Sequence, residues 1–174
     1  DTTEQLVLEM ERQGANLIEL GVPFSDPIAE GPIIQEASLR SLQGGTTLEG
    51  IFELVKKLRT KTEIPLVFMM YINTIYRFGV ERFFSLCQET GIDAVIVPDL
   101  PFEEHDEIDE CAYAHGVYPI NLVAPTSKDR IAAIAANSKG FLYCVSSTGV
   151  TGVRNTFQTD FDSFFDTIKQ HASI

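Results

Sequence analysis

Leu17-Ile18-Glu19-Leu20-Gly21-Val22-Pro23-Phe24-Ser25-Asp26-Pro27-Ile28-Ala29-Glu30-Gly31-Pro32 runs from an aliphatic stretch into a loop holding three prolines in ten residues. Side chains alternate across a strand, so Leu17, Glu19 and Gly21 share one face while Ile18 and Leu20 share the other. The run is dense in Leu, Ile and Val, which predicts a strand covered on both faces. Glu19 is then a carboxylate inside an aliphatic strand. An isolated buried carboxylate is costly and is relieved by a raised pKa or by a partner. Two readings follow: a general acid/base tuned toward neutrality, or a Glu satisfied by a neighbouring hydroxyl or backbone donor. Glu30, between Ala29 and a Gly-Pro turn, reads as a second acid or as a solvated loop residue. Asp26, between Ser25 and Pro27, is an Asx-turn residue or a contact for a partner. The prolines stiffen the segment, as a positioning loop requires.

Outward from this stretch, short strand-like runs alternate with helical ones. The strand candidates are Asn16–Val22, Ile64–Tyr71, Ala94–Val97, Tyr118–Ala124 and Gly140–Ser146. Between them apolar residues recur at helical spacing: Ile51, Leu54, Val55 and Leu58; Val80, Phe83, Phe84 and Cys87; Phe161, Phe164, Phe165 and Ile168. A weaker stripe runs through Leu6, Val7 and Met10. These stripes read as core packing against a sheet. The alternation predicts an α/β fold with a parallel sheet, either doubly wound or a (β/α)8 barrel. Strand starts lie about 48, 30, 24 and 22 residues apart. The first interval is too long for a plain βα unit and predicts an elaborated loop after the first strand. In both folds the sites gather at the carboxyl ends of the strands. A closed eight-stranded barrel takes ~250 residues, so five strands predict an open sheet or part of a barrel.

Composition narrows the function classes. The 174 residues are 44% hydrophobic and 22% charged, values of a globular domain rather than a disordered chain. Thirteen basic against twenty-five acidic residues give a net charge of −12, which argues against nucleic-acid binding. A small phosphate remains compatible, because backbone N–H groups hold it without lysine. The longest apolar stretch, Leu66 to Ile72, has seven residues, far short of a membrane span. Three scattered cysteines offer no disulfide framework. The chain is expected to be cytoplasmic. His105, His115 and His171 carry no metal-ligand spacing, and no Ser-His-Asp order or nucleotide-binding glycine motif appears.

Four ordered motifs carry a resemblance. The segment Glu19 to Pro32 is similar to the signature of the tryptophan synthase alpha subunit family. Pro65-Leu66-Val67-Phe68-Met69-Met70-Tyr71-Ile72-Asn73, Val97-Pro98-Asp99-Leu100-Pro101-Phe102-Glu103-Glu104 and Ser146-Ser147-Thr148-Gly149-Val150-Thr151-Gly152 resemble that family's next strand ends, in order. The resemblance implies a (β/α)8 TIM barrel, here a partial barrel covering about strands 2 to 6 in a single domain. It implies a lyase that cleaves indole-3-glycerol phosphate to indole and glyceraldehyde 3-phosphate. It implies no cofactor and no metal in this chain, with pyridoxal phosphate only in a partner beta subunit of an alpha2-beta2 assembly. By the same resemblance Glu19 is the acid/base and Glu30 the acid that accepts the indole N–H. Tyr71 and Tyr143 line the substrate pocket; Met69, Ile96 and Leu122 sandwich the ring. Thr151 and Gly152 belong to a phosphate-holding Gly-x-x-Gly segment, and Pro23 and Asp26 to the face that docks on the beta subunit. Read alone, either tyrosine is an ordinary core aromatic.

Two departures from the family pattern stand out. The family usually has Asp where this chain has Glu30, and the extra methylene extends reach by roughly 1.3–1.5 Å. A misplacement of ~1 Å costs up to ~10²-fold in rate, so Glu30 predicts reduced competence unless the loop retracts. Strands one, seven and eight are also unmatched, which predicts a fragment of a longer barrel with bare strand edges prone to association. The alternative function is a catalytically silent barrel piece that docks on a beta subunit. A doubly wound binding domain fits the strand count but leaves Glu19 unexplained, and another phosphate-binding barrel would lack Pro-Phe-Ser-Asp-Pro.

Overall fold

The structure, a computed structural model, describes residues 2–126, 128–146 and 159–174. In chain order the elements are α1 (Thr2–Arg12), β1 (Ile18–Gly21), α2 (Pro32–Gln43), α3 (Leu48–Arg59), β2 (Leu66–Met69), α4 (Ile72–Phe78), α5 (Val80–Thr90) and β3 (Ala94–Ile96). A 3-10 turn at Phe102–Glu104 follows. Then come α6 (Asp106–Ala114), β4 (Tyr118–Ile120), β5 (Leu122–Val123), α7 (Lys128–Ala136), β6 (Tyr143–Cys144) and α8 (Phe161–His171).

All pairings are parallel, and neighbours follow chain order: β1-β2-β3-β4 in one ladder and β5-β6 in the other. The run Tyr118–Ala124 is interrupted at Asn121. Its first half pairs with β3, Ile96 opposite Ile120, and its second half with β6, Leu122 opposite Tyr143. A strand that spends one half on each neighbour is the stagger a curling sheet needs.

The two faces of the sheet separate barrel from doubly wound. Ile18, Leu20, Val22, Leu66, Phe68, Val95 and Val97 pack with Val7, Phe52, Val55, Leu58, Phe83, Phe84, Ile108 and Ala112 from the helices. The opposite face joins Val67, Ala94, Ile96 and Ile120 to Leu17, Met69, Leu122, Phe141 and Tyr143, and no helix contributes to that cluster. A doubly wound sheet has helices on both faces and reverses strand order at a switch point. Among the described residues the helices that pack on the sheet do so on one face and the order never reverses, which is barrel architecture.

Local sequence explains the helices. Thr47 caps α3 by accepting from Gly50 N–H at 3.1 Å, and Asp160 caps α8 by accepting from Ser163 N–H at 3.1 Å. Pro32 sits in the first turn of α2, where its missing N–H costs nothing. Phe52, Phe68, Phe83 and Phe84 are fully buried in the helix-side core. Truncating any of them to Ala removes about 3–5 kcal/mol.

Two expectations change. The long interval after β1 is not one extended loop: it holds an additional helix, α2, ahead of α3. None of its residues is buried, so periodicity gave no signal there. Glu19 is not enclosed on both sides either. Ile18 and Leu20 are buried against helices, whereas Glu19 and Gly21 face the open concave side.

Candidate active site

Glu19 lies opposite Val67 in the β1–β2 ladder. Strand parity aims it to the same side as Met69, Ile96, Leu122 and Tyr143, four residues of the helix-free apolar cluster. Desolvation raises the Glu19 carboxyl above its ordinary range although the side chain faces open space. Desolvation first, and then the negative charge of Glu19, raise the Tyr143 hydroxyl. Ile96 is fully buried, and Met69, Leu122 and Tyr143 are half-buried at the surface of the patch.

The loop after β1 is held by one phenol. The ladder continues past β1, with Val22 N–H donating to Met69 C=O at 2.9 Å. The Tyr71 hydroxyl accepts from Ile28 N–H at 3.1 Å and from Ala29 N–H at 2.9 Å, and donates to the Glu30 carboxylate. Its ring stacks on Phe24 with centroids 5.0 Å apart. Gln35 Nε2 donates to Glu30 C=O at 2.9 Å, so the start of α2 ties the other end. Tyr71 is 4% exposed, and burial, then its bond to Glu30, push its phenol up to about 12. A neutral phenol at any ordinary pH keeps its O–H for Glu30.

The extra methylene of Glu30 thereby acquires a structural use: it carries the carboxylate onto Tyr71. Asp26 is exposed and accepts from the Ser25 hydroxyl within the loop. Pro23 borders two hollows that Gly21 also lines. One, of about 530 Å3, contains Glu19, Gly21 and the apolar side chains Leu6, Met10 and Leu54. The other, of about 240 Å3, contains Gly21, Phe24, Glu30, Met69 and Tyr71. Glu19 and Glu30 thus open onto adjoining spaces that share Gly21 and Pro23. The expectations for Thr151 and Gly152 lie outside the described residues. Among the described residues, no group with metal-ligand geometry includes Glu19 or Glu30.

Sequence reasoning took Tyr71 as a pocket residue and missed its hydroxyl as the loop's clamp. The contact spans more than forty residues and leaves no local trace. Asp99, within the third motif, also has a local structural role, since its Oδ1 accepts from Ile72 N–H at 3.0 Å and caps α4.

The family model for the tryptophan synthase alpha chain matches residues 1–174. The chain belongs to that family. It is 51% identical to a tryptophan synthase alpha chain of Alkaliphilus metalliredigens, over 100% of this chain and 65% of the relative. It is 47% identical to one of Thermoanaerobacter sp. strain X514, over 100% of this chain and 66% of the relative. The chain therefore spans a little under two thirds of the length of these curated relatives. Among solved structures it superposes on a chain of the Pyrococcus furiosus tryptophan synthase complex with TM-score 0.86 and 35% identity, covering 98% of this chain and 68% of that one. Tryptophan synthase subunit alpha from Legionella pneumophila superposes with TM-score 0.87 and 33% identity, covering 99% and 64%. Family membership and superposition establish the described part as a segment of a TIM barrel.

Proposed function

We propose that the protein cleaves indole-3-glycerol phosphate to indole and glyceraldehyde 3-phosphate, a step of tryptophan biosynthesis. The observation that carries this reading is one carboxylate, Glu19, on the same face of the sheet as an apolar patch, with a second, Glu30, held on Tyr71 in an adjoining hollow. The reaction adds a proton to indole C3, which leaves a cationic ring nitrogen. Removal of the proton from the adjacent side-chain hydroxyl then turns that carbon into an aldehyde. The electrons of the breaking carbon–carbon bond return to the ring, so one proton enters and one leaves. Glu19, its carboxyl raised by desolvation, is suited to move those protons. Glu30 accepts the ring N–H while positive charge develops there. Met69, Ile96, Leu122 and Tyr143 form the apolar wall for the indole, and Thr151 and Gly152 help hold the phosphate.

The partner in this reading is a tryptophan synthase beta subunit in an alpha2-beta2 assembly. That subunit carries pyridoxal phosphate, and this chain needs no cofactor or metal for the cleavage. Pro23 and Asp26 contribute to the docking face, together with Ile28 and Ile33, which are 72% and 78% exposed. Both proteins are cytoplasmic. A chain that docks without turning over substrate is the second reading, favoured by the apolar exposure of α2, where Ile33, Ile34 and Leu39 are all uncovered.

The test is indole release from indole-3-glycerol phosphate, with Glu19→Gln as control. The variant keeps the size of the side chain and removes its proton chemistry, so release should fall at least ~10²-fold, the lower end of what a general acid/base contributes. Release that survives in Glu19→Gln removes the carboxylate from the mechanism. Absence of release in the unmodified chain, with beta-subunit binding intact, decides for the docking reading.

A further inference from the structure

On the helix side of the sheet, away from Glu19 and Glu30, three different ligand types converge. Cys111 lies in the last turn of α6 and His115 caps that helix, four residues on, so the two share a face. Glu81 reaches them from the first turn of α5. Cys111 Sγ is 3.2 Å from Glu81 Oε2, and His115 Nε2 is 3.3 Å from Glu81 Oε1. One ligand atom from each residue lies within 4.8 Å of the other two.

We propose that Glu81, Cys111 and His115 form a binding site for a zinc-class divalent cation that staples α5 to α6. The spacing fits: at ordinary zinc bond lengths of about 2.0–2.3 Å, tetrahedral geometry sets neighbouring ligand atoms roughly 3.3–3.7 Å apart. The thiol and the imidazole each lie near that separation from one or the other oxygen of Glu81, and a set of one atom per residue, all within 4.8 Å, closes to it with a contraction of up to about 1.5 Å. The histidine is oriented to serve as a ligand. Its Nδ1 lies 2.9 Å from Cys111 C=O, the backbone bond that fixes a metal-binding imidazole with its Nε2 lone pair outward. The ring is mostly buried, with 15% of its side chain exposed, and Cys111 packs against the main core. Both α6 ligands are therefore positioned before an ion arrives. Glu81 is 80% exposed and swings in as the adaptable third ligand, leaving the fourth position to water.

The mixed sulfur, nitrogen and oxygen set selects the ion. Magnesium and calcium take oxygen ligands and have no use for the thiol, whereas zinc and cobalt accept all three. On binding, the cysteine gives up its proton to solvent and the imidazole binds neutral. Spacing among histidines alone missed this group, because the pair is a cysteine and a histidine and the third ligand belongs to another helix.

Cobalt titration of the purified chain tests it. The background carries Cys144→Ser, because Cys144 is an exposed free cysteine while Cys87 is buried. One equivalent of Co2+ should give a thiolate-to-metal charge-transfer band and tetrahedral visible bands, displaced by Zn2+. In that background Cys111→Ser should abolish the charge-transfer band. His115→Ala and Glu81→Gln should each weaken binding at least ~10-fold, the least that losing even an outer-shell partner costs. Zn2+ should raise the Tm of the parent and not of Cys111→Ser, with circular dichroism confirming that both are folded. A parent chain with no charge-transfer band, or a band that survives Cys111→Ser, overturns the site.

Discussion

Replacing Tyr71 with Phe removes one oxygen and keeps the ring that stacks on Phe24. That oxygen accepts from Ile28 N–H at 3.1 Å and Ala29 N–H at 2.9 Å, and donates to Glu30. Neutral hydrogen bonds contribute about 0.5–1.5 kcal/mol each and one to a charged group about 1.5–3. Ile28 is exposed and Ala29 and Glu30 are half-buried, so water replaces part of what is lost. A net loss of about 1–2 kcal/mol remains for the docked loop, which lowers its population relative to the undocked form roughly 5–30-fold. Global stability should change little, because the loop and α2 bury almost nothing. Two readouts separate positioning from folding. Amide exchange at Ile28 and Ala29 should accelerate by the same factor, and kcat/KM for indole release should fall ~10–100-fold as Glu30 loses its place. Exchange at both amides within twofold of the parent, with kcat/KM unchanged, would refute the clamp.

Glu30→Asp shortens the side chain by about 1.5 Å and lifts the carboxylate off Tyr71. Indole release should therefore fall ~10-fold or more; an unchanged or faster rate would show that the loop follows the shorter acid. Glu4 is buried, with Lys57 Nζ at 2.5 Å and Lys61 Nζ at 2.6 Å, and hydrogen bonds to both hold its carboxyl down at about 2 against an ordinary 4.5. A depressed carboxyl stabilises the fold fully above pH 4.5 and loses that contribution as pH falls toward 2. Melting curves should show Glu4→Gln less stable than the parent at pH 7, with the gap closing across that window. Gly91 has φ +88°, and a Cβ there would lie 2.9 Å from Arg59 Nε, which donates to Gly91 C=O at 2.8 Å. Gly91→Ala should cost ~2 kcal/mol or more, a Tm fall of roughly 4–8 °C for a chain of this size.

What could be read in sequence was local. Density of Ile, Leu and Val marked all five strand runs, and spacing at i, i+3 and i+4 marked α3, α5 and α8, because both signals are written in consecutive residues. Strand parity put Glu19 on the opposite face from Ile18 and Leu20 before any sheet was seen. The motif resemblance singled out Glu30 as a candidate, which no periodicity distinguishes from a solvated loop residue. Helix α2 escaped because it buries no residue and so carries no stripe.

Three matters were decided only by tertiary structure. The run Tyr118–Ala124 reads as one strand, but pairing with a different neighbour on each side of Asn121 splits it. Glu19 reads as enclosed; whether a strand face is covered depends on what stands opposite, and here helices cover only the Ile18 and Leu20 side. The Tyr71 hydroxyl and the Glu81–Cys111–His115 group join residues 30 to 43 positions apart. Chain folding sets such distances, because sequence patterning specifies which face a side chain occupies and not which distant backbone will meet it.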